Sequence, residues 1–260
     1  MTTENEQRSE ANEEQIKPAA LIRLKKTVVF EESHAKSAKI NSSVIRPEFY
    51  NAFKYELLPK DQSARCLTFG VTSSKLGDGK SLVASNMAVS FAVANAKKTL
   101  IVDLNIGRPR IHKIFNVPIA PGFLDALDRN EIRVSETPIR NLSVLSAGQL
   151  SEHPFVLLDG ESNNGRDQED RERATLGLEH VTSFRDIIYS LEQVFEVVIV
   201  DLPSVADLGF PQLYLKQISG LIVVVNSGAT RKEEIDKLLH HVDEQQILGF
   251  VLNRTDDTHI

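Results

Sequence analysis

Residues 69–81 read FGVTSSKLGDGKS, and the reading of that stretch decides the fold. A phosphate-binding loop, G-x-x-x-x-G-K-[ST], asks for glycine six positions before its lysine, and Ser74 stands there instead. The substitution matters less than it looks. A phosphate is cradled by a run of backbone N–H groups between a buried strand and a helix N-terminus, and Gly77 and Gly79 supply the backbone freedom nearest the anion. Lys80 is then placed to reach the β- and γ-phosphates, with the Ser81 hydroxyl in one Mg²⁺ position. The flanks agree, since CLTFGVTS (66–73) reads as a strand and KSLVASNMAVSFAVA (80–94) as a helix rich in small apolar residues. The run Ser74, Lys75, Leu76, Gly77, Asp78, Gly79, Lys80, Ser81 and Leu82 is therefore expected to bind a nucleotide. Lys75 has two readings. It is either the additional lysine of deviant phosphate loops, which reaches phosphates and often does so across a dimer, or an exposed loop lysine.

Outward from the loop the pattern alternates. Short β-rich runs occur at TLIVDL (99–104), LSVLSAG (142–148), EVVIVDLP (196–203), GLIVVVNSG (220–228) and ILGFVLNR (247–254). Helical segments are expected at 80–95, 182–193, 211–218 and 230–244, with a short one at 122–129. Valine and isoleucine runs without polar alternation mark strands covered on both faces, hence a mainly parallel sheet between helix layers. The fold class is doubly wound α/β, a P-loop nucleotide-binding domain of the deviant Walker type.

The chain has 260 residues, a net charge of −6 and one cysteine. The charge offers no basic field to nucleic acid or anionic lipid, which excludes those partners. Cys66 lies in an apolar run and reads as a buried structural thiol in a reducing cytoplasm. No apolar run approaches the ~20 residues of a membrane span and the N-terminus does not read as a signal peptide, so no direct membrane insertion is expected. Residues 1–45 read as a disordered leader or linker in which LIRLKKTVVF (21–30) could pair as a strand. A helix from Pro47 puts Phe49, Phe53 and Leu57 on one stripe and opens the domain, 46–256. Residues 159–180 read as a polar surface insertion, and 257–260 as a short tail without tyrosine. His240 and His241 are neighbours that point apart on a helix, and His112 reads as a solvated or packing residue rather than a catalyst.

Several motifs in register carry a resemblance. VTSSKLGDGKSLVASNMAVSFA is similar to the nucleotide loop of the bacterial tyrosine kinases (BY-kinases) that accompany capsule and exopolysaccharide synthesis. TLIVDLNIGRPRIHKIFNV resembles that family's second acidic motif and its Arg-Pro-Arg-x-His-Lys continuation. PGFLDAL, NLSVLSAGQLSEHPFVLL, FEVVIVDLPSVAD, VVNSGATRKEEI and ILGFVLNRTD follow in the family's order. The resemblance implies ATP and Mg²⁺ as cofactors. It assigns Lys80 and Ser81 to phosphate and metal, and Asp103 to the metal and to a general base toward a tyrosine hydroxyl. Asp201 becomes the carboxylate that orients Mg²⁺, and Arg108 a cation that neutralises phosphate charge. Lys80, Asp103 and Arg108 are thus the implied catalytic set, while Asn253 and Arg254 lie where the fold class contacts adenine. The implied partner is a membrane-embedded polysaccharide chain-length regulator (a co-polymerase). The protein would then sit at the inner face of the plasma membrane, as a homo-oligomer where its oligomerisation motif is complete.

The chain also departs from that pattern. The family's Asp-x-Asp ends here in Asn105, which supplies no negative charge and takes no proton. Gly107 replaces an arginine, and Leu202, Pro203 and Ser204 come after Asp201 where Ser or Thr and then Pro-Pro are usual. Of the four tyrosines, Tyr50, Tyr55, Tyr189 and Tyr214, none lies in a C-terminal cluster. Glu48, Asn51 and Lys54 match the oligomerisation motif only at Glu48. These departures weigh against autophosphorylation while leaving ATP binding intact. The competing reading is an ATPase switch of the plasmid-partition or division-site-selection kind, acting through an ATP-dependent dimer.

Overall fold

A computed structural model describes residues 25–31, 44–45, 66–152, 157–158, 174–204 and 212–255. The helix expected from Pro47, most of the leader, residues 159–173 of the insertion and the last five residues lie outside them, as do Tyr50 and Tyr55.

The central strands form where β-branched runs are buried on both faces, and the outer ones β1 and β10 are partly exposed. β1 (Thr27–Glu31), β2 (Leu67–Ser73), β3 (Thr99–Asp103), β4 (Glu131–Glu136) and β5 (Leu142–Leu145) are followed by a two-stranded ribbon, β6 (Leu157–Leu158) and β7 (Ala174–Thr175). β8 (Val197–Asp201), β9 (Gly220–Asn226) and β10 (Ile247–Asn253) complete the set. Eight of them make one sheet in the order β1-β4-β5-β3-β8-β2-β9-β10. Six run parallel. β4 pairs with β5 antiparallel, so β4 and its parallel neighbour β1 run the other way. The expected doubly wound, mainly parallel sheet is found, with this reversed edge as the addition.

Helices cover both faces. α1 (Lys80–Val89), prolonged by a π-helical turn over Ser90–Ala94, and α2 (Ile111–Phe115) pack on one side with Phe69, Val71, Ile101, Ile199, Ile222 and Val224. α1 carries Val83, Ala84, Met87 and Ala88 inward, and small residues let it lie close to the strands. α3 (Phe123–Asp128), α4 (Val181–Glu192), α5 (Gln212–Leu215) and α6 (Lys232–His241) serve the other face, around Leu100, Val102, Val198, Val200 and Val223. Within the described residues the helices read from the sequence at 80–95, 122–129, 182–193, 211–218 and 230–244 have counterparts, whereas α2, β4 and the ribbon were not expected. The run expected to pair as a strand does so as β1. The last residues of the expected insertion belong to the body of the domain, for Leu176 is buried and the Gly177 carbonyl accepts the buried Tyr214 hydroxyl.

Lys26 anchors the reversed edge. Its side chain is buried, and its ammonium donates to the carbonyls of Ala126, Leu127 and Arg129 at the C-terminal end of α3, while its backbone N–H donates to Ser190 Oγ at 2.8 Å. A cation at a helix C-terminus satisfies carbonyls that the helix cannot and opposes the negative end of its dipole. Burial holds the ammonium pKa below its usual value. Lys26→Ala is expected to lower the unfolding free energy by about 1–3 kcal/mol, read as a lower urea midpoint at unchanged slope. An unmoved midpoint would show that this ammonium does not hold β1.

Candidate functional site

The phosphate loop leaves β2 at Ser73 and enters α1 at Lys80. Gly77 and Gly79 have φ of 91° and 95°, a region that side chains disfavour. A Cβ on Gly79 would also lie 2.1 Å from Asn253 Nδ2. The loop is therefore fitted to glycine at that point twice over. Ser74, at the irregular first position, is buried and its hydroxyl donates to Asp78 Oδ2 at 3.2 Å. Asp78 Oδ2 also accepts the Lys75 N–H at 3.2 Å, and Oδ1 accepts Thr230 Oγ1 at 3.4 Å. The hydroxyl that replaces glycine thus braces the loop from within.

A hollow of about 250 Å³ opens in front of it, lined by Leu76, Gly77, Gly79, Lys80, Ser81, Leu82, Asn105, Arg108 and Arg110. Three of these side chains are cationic and none is acidic, so the wall suits a polyanion. A larger hollow of about 400 Å³ lies at the opposite end of the sheet around Phe30, Lys98, Glu136, Arg140 and Glu196. Its mixed charges and distance from the glycine loop give it no part in phosphate binding.

Behind the anion wall stand two acids. The register of β3 on β8 sets Asp103 opposite Asp201, and both side chains are fully buried. Asp201 Oδ2 accepts the Ser81 hydroxyl at 2.6 Å, while Oδ1 is buried with no hydrogen-bond partner among the described residues. Asp103 is differently employed. Its Oδ1 accepts the Asn105 N–H at 3.1 Å, and its Oδ2 accepts those of Arg110 and Ile111 at 2.9 and 3.0 Å, which caps α2 and folds the loop 104–110. Burial pushes both carboxyl pKa values above the ordinary range. For Asp103 the neighbouring Asp201 charge adds to this and the three amides oppose it, and for Asp201 Lys80 and the Ser81 hydroxyl oppose it.

The buried, unpartnered Asp201 oxygen beside a serine hydroxyl is the kind of oxygen set that Mg²⁺ takes, since that ion keeps several waters and needs few protein ligands. The residues therefore fit the implied ion, with Ser81 and Asp201 as direct candidates and Asp103 next to them.

The expected residues divide into groups. Leu76, Gly77, Gly79, Lys80, Ser81, Leu82 and Arg108 line the hollow, while Ser74 and Asp78 lie behind the loop. The Lys75 ammonium is held within its own chain, at 2.8 Å from the Ala229 carbonyl and 3.1 Å from Glu234 Oε2. Asn253 Nδ2 donates to the Asp78 carbonyl at 2.8 Å, and Arg254 is exposed with φ 59°. Asn105 lines the hollow with its Nδ2 donating to the Arg108 carbonyl at 3.1 Å. Thr230, Glu234 and Arg110 were not singled out from the sequence. Only Arg110 could have been found, as the second cation of the Arg-Pro-Arg run. Burial holds the Cys66 thiol pKa up at about 11 and the His112 imidazole below its usual value, in keeping with packing roles for both.

No family model matches the chain. Among curated proteins it is 25% identical over 188 residues to the tyrosine-protein kinase YwqD of Bacillus subtilis, covering 70% of each chain. It is 25% identical over 215 residues to the tyrosine-protein kinase CpsD of Streptococcus pneumoniae serotype 4, covering 80% of this chain and 84% of that one. Among solved structures it is similar to the chimerical protein CapA2B2, with a TM-score of 0.57 and 25% identity over 81% of this chain and 92% of the other.

Because both acids bind protons more tightly folded than unfolded, they favour the folded chain in acid. That contribution drains away as pH rises from about 4 through their raised folded pKa values. Asp201→Asn should therefore raise the thermal midpoint of the ligand-free protein near neutral pH and above, leave it nearly unchanged in acid, and remove any Mg²⁺-dependent shift. Equal midpoints for the two proteins across the whole pH series would show that no charge repulsion is stored there.

Proposed function

We propose that the chain is a member of the bacterial tyrosine-kinase family within the P-loop ATPases of the deviant Walker type, whose members it resembles at 25% identity, and that it binds ATP with Mg²⁺ and regulates exopolysaccharide or capsule polymerisation or export. The observation that carries this reading is the convergence, at one end of the sheet, of the loop glycines and Lys80 with Ser81 and the unpartnered Asp201 oxygen. The loop amides and Lys80 would hold the β- and γ-phosphates, and Arg108 and Arg110 would balance charge at the outer rim. Ser81 and Asp201 would hold the ion, which would supply positive charge to offset that of the phosphates. Asp103 would keep the loop 104–110 in place so that Asn105 and Arg108 face the hollow. A base role for Asp103 competes with the three amides that its oxygens already accept.

Asn105 governs the fate of the bound nucleotide. An amide there can align a water or a hydroxyl, but it neither adds charge to the ion nor takes a proton. Transfer to tyrosine is accordingly slow in this reading, and nucleotide occupancy is the main output. Among the described tyrosines, Tyr214 is buried with its hydroxyl bound to Gly177, which makes it no acceptor. No described helix is long and apolar enough to cross a membrane, so in this reading the partner, a membrane-embedded chain-length regulator, is the link to the bilayer. The dimer-switch alternative needs a lysine free to reach across a partner, and Lys75 is engaged in its own chain.

A fluorescent ATP analogue should saturate only with Mg²⁺ present, and Lys80→Ala should abolish the signal. With labelled ATP, Asn105→Asp should raise phosphate turnover on the order of 10²-fold, with label appearing on tyrosine. Unchanged turnover at unchanged affinity would dismiss Asn105 as the limit on activity. Free phosphate released by ATP-dependent dimers would favour the switch instead.

A further inference from the structure

We propose that Asn253 is a positioning residue for the phosphate loop, acting through the Asp78–Gly79 peptide, so that affinity for any polyphosphate depends on it whatever base is attached. This rests on the reading of the hollow as a triphosphate site.

The side chain is engaged at both ends. Its Oδ1 accepts the Arg254 N–H at 3.0 Å, which fixes the orientation of the amide, and its Nδ2 donates to the Asp78 carbonyl at 2.8 Å. It lies flush against the loop, where a side chain on Gly79 would otherwise sit. A trans peptide is planar with its C=O and N–H antiparallel. Drawing the Asp78 carbonyl outward to Asn253 therefore turns the Gly79 N–H the opposite way, and Gly79 is a lining residue of the hollow. One hydrogen bond behind the loop thus aims an amide hydrogen in front of it.

The rest of residue 78 is held as firmly. Its carboxylate accepts Ser74 Oγ and the Lys75 N–H from within the loop, and Thr230 Oγ1 from the turn after β9. Asn253 is itself fixed, as the last residue of β10 in register with Asn226, with its carbonyl accepting the Ser227 N–H at 2.8 Å. The ends of β9 and β10 therefore set the peptide plane of the phosphate loop. A base contact by this residue would require the amide to leave the loop.

The test uses the full chain and two probes, a fluorescent ATP analogue and inorganic tripolyphosphate as its competitor, which has phosphates and no base. Asn253→Leu keeps volume against Gly79 and removes the donor without adding charge, and Asn253→Ala is the second variant should the first fail to fold. Binding is read at a temperature where circular dichroism shows each protein folded. Both probes should weaken by a similar factor, about tenfold for the loss of one such hydrogen bond, with the preference for ATP over GTP unchanged. Weaker ATP binding with tripolyphosphate unaffected would make Asn253 a base contact and overturn the proposal. Unaltered binding of both probes would overturn it too. Wild-type protein that binds neither probe would bring down the nucleotide reading first and this inference with it.

Discussion

The parallel register of β3 on β8 sets Asp103 opposite Asp201, with both carboxylates out of reach of water, and the rest of the site is arranged around that constraint. Two like charges in a low-dielectric interior oppose folding unless protons, hydrogen-bond donors or cations offset them. The chain answers each acid differently. Asp103 is satisfied by the main chain of the loop immediately after it, which turns an electrostatic liability into the organiser of residues 104–110. Asp201 receives a hydroxyl on one oxygen and nothing on the other among the described residues. That asymmetry separates a structural carboxylate from one left open to a cation, although the two occupy equivalent strand tips.

The phosphate loop is made rigid by the same economy of contacts. Asp78 sits at its centre, buried, and ties the loop to itself and to the turn after β9, while Lys75 closes a second bridge to the start of α6. Backbone amides bind anions best when they are already aimed, because no ordering cost is then incurred on binding. The exposed ion pair of Lys75 with Glu234 adds little energy by itself. Its consequence is geometric, since it keeps that ammonium on the flank of the loop.

The parts of this architecture that were legible in the sequence are those that depend on local pattern. Uninterrupted valine and isoleucine runs such as 197–200 and 222–225 can only be covered strands, and small residues after Lys80 can only suit a helix packed close to them. Gly77 and Gly79 announced the loop because few other residues take their φ. What could not be read is what depends on distant pairing. β4 carries Arg133 and two glutamates, which disguise a strand next to the sheet edge as loop, and nothing local marks Lys26 as the residue that caps a helix ~100 positions away. The resemblance gave Asp103 a place beside the metal but not its part as a helix cap. Only the fold of 104–111 brings the amides of Arg110 and Ile111 onto Asp103. Thr230 and Glu234 stayed hidden because a threonine in a polar turn and a glutamate in the first turn of an exposed helix look like any solvated residues.

Asn105 can be understood from the same electrostatics. A carboxylate at that buried position, two residues beyond Asp103 and on the wall of the hollow, would add a third negative charge to a cluster in which burial already pushes two carboxyls toward protonation. The amide avoids that cost and donates to the Arg108 carbonyl, which steadies the loop that carries the arginine. It also removes charge from the place where a metal-held phosphate would need it during transfer. Under the proposed function, one substitution moves the balance in a single direction, toward a loop that holds its nucleotide in an ordered site and away from rapid consumption of it. A protein whose task is to report nucleotide occupancy to a partner gains from that exchange, because a bound state that is hydrolysed or transferred slowly persists long enough to be read.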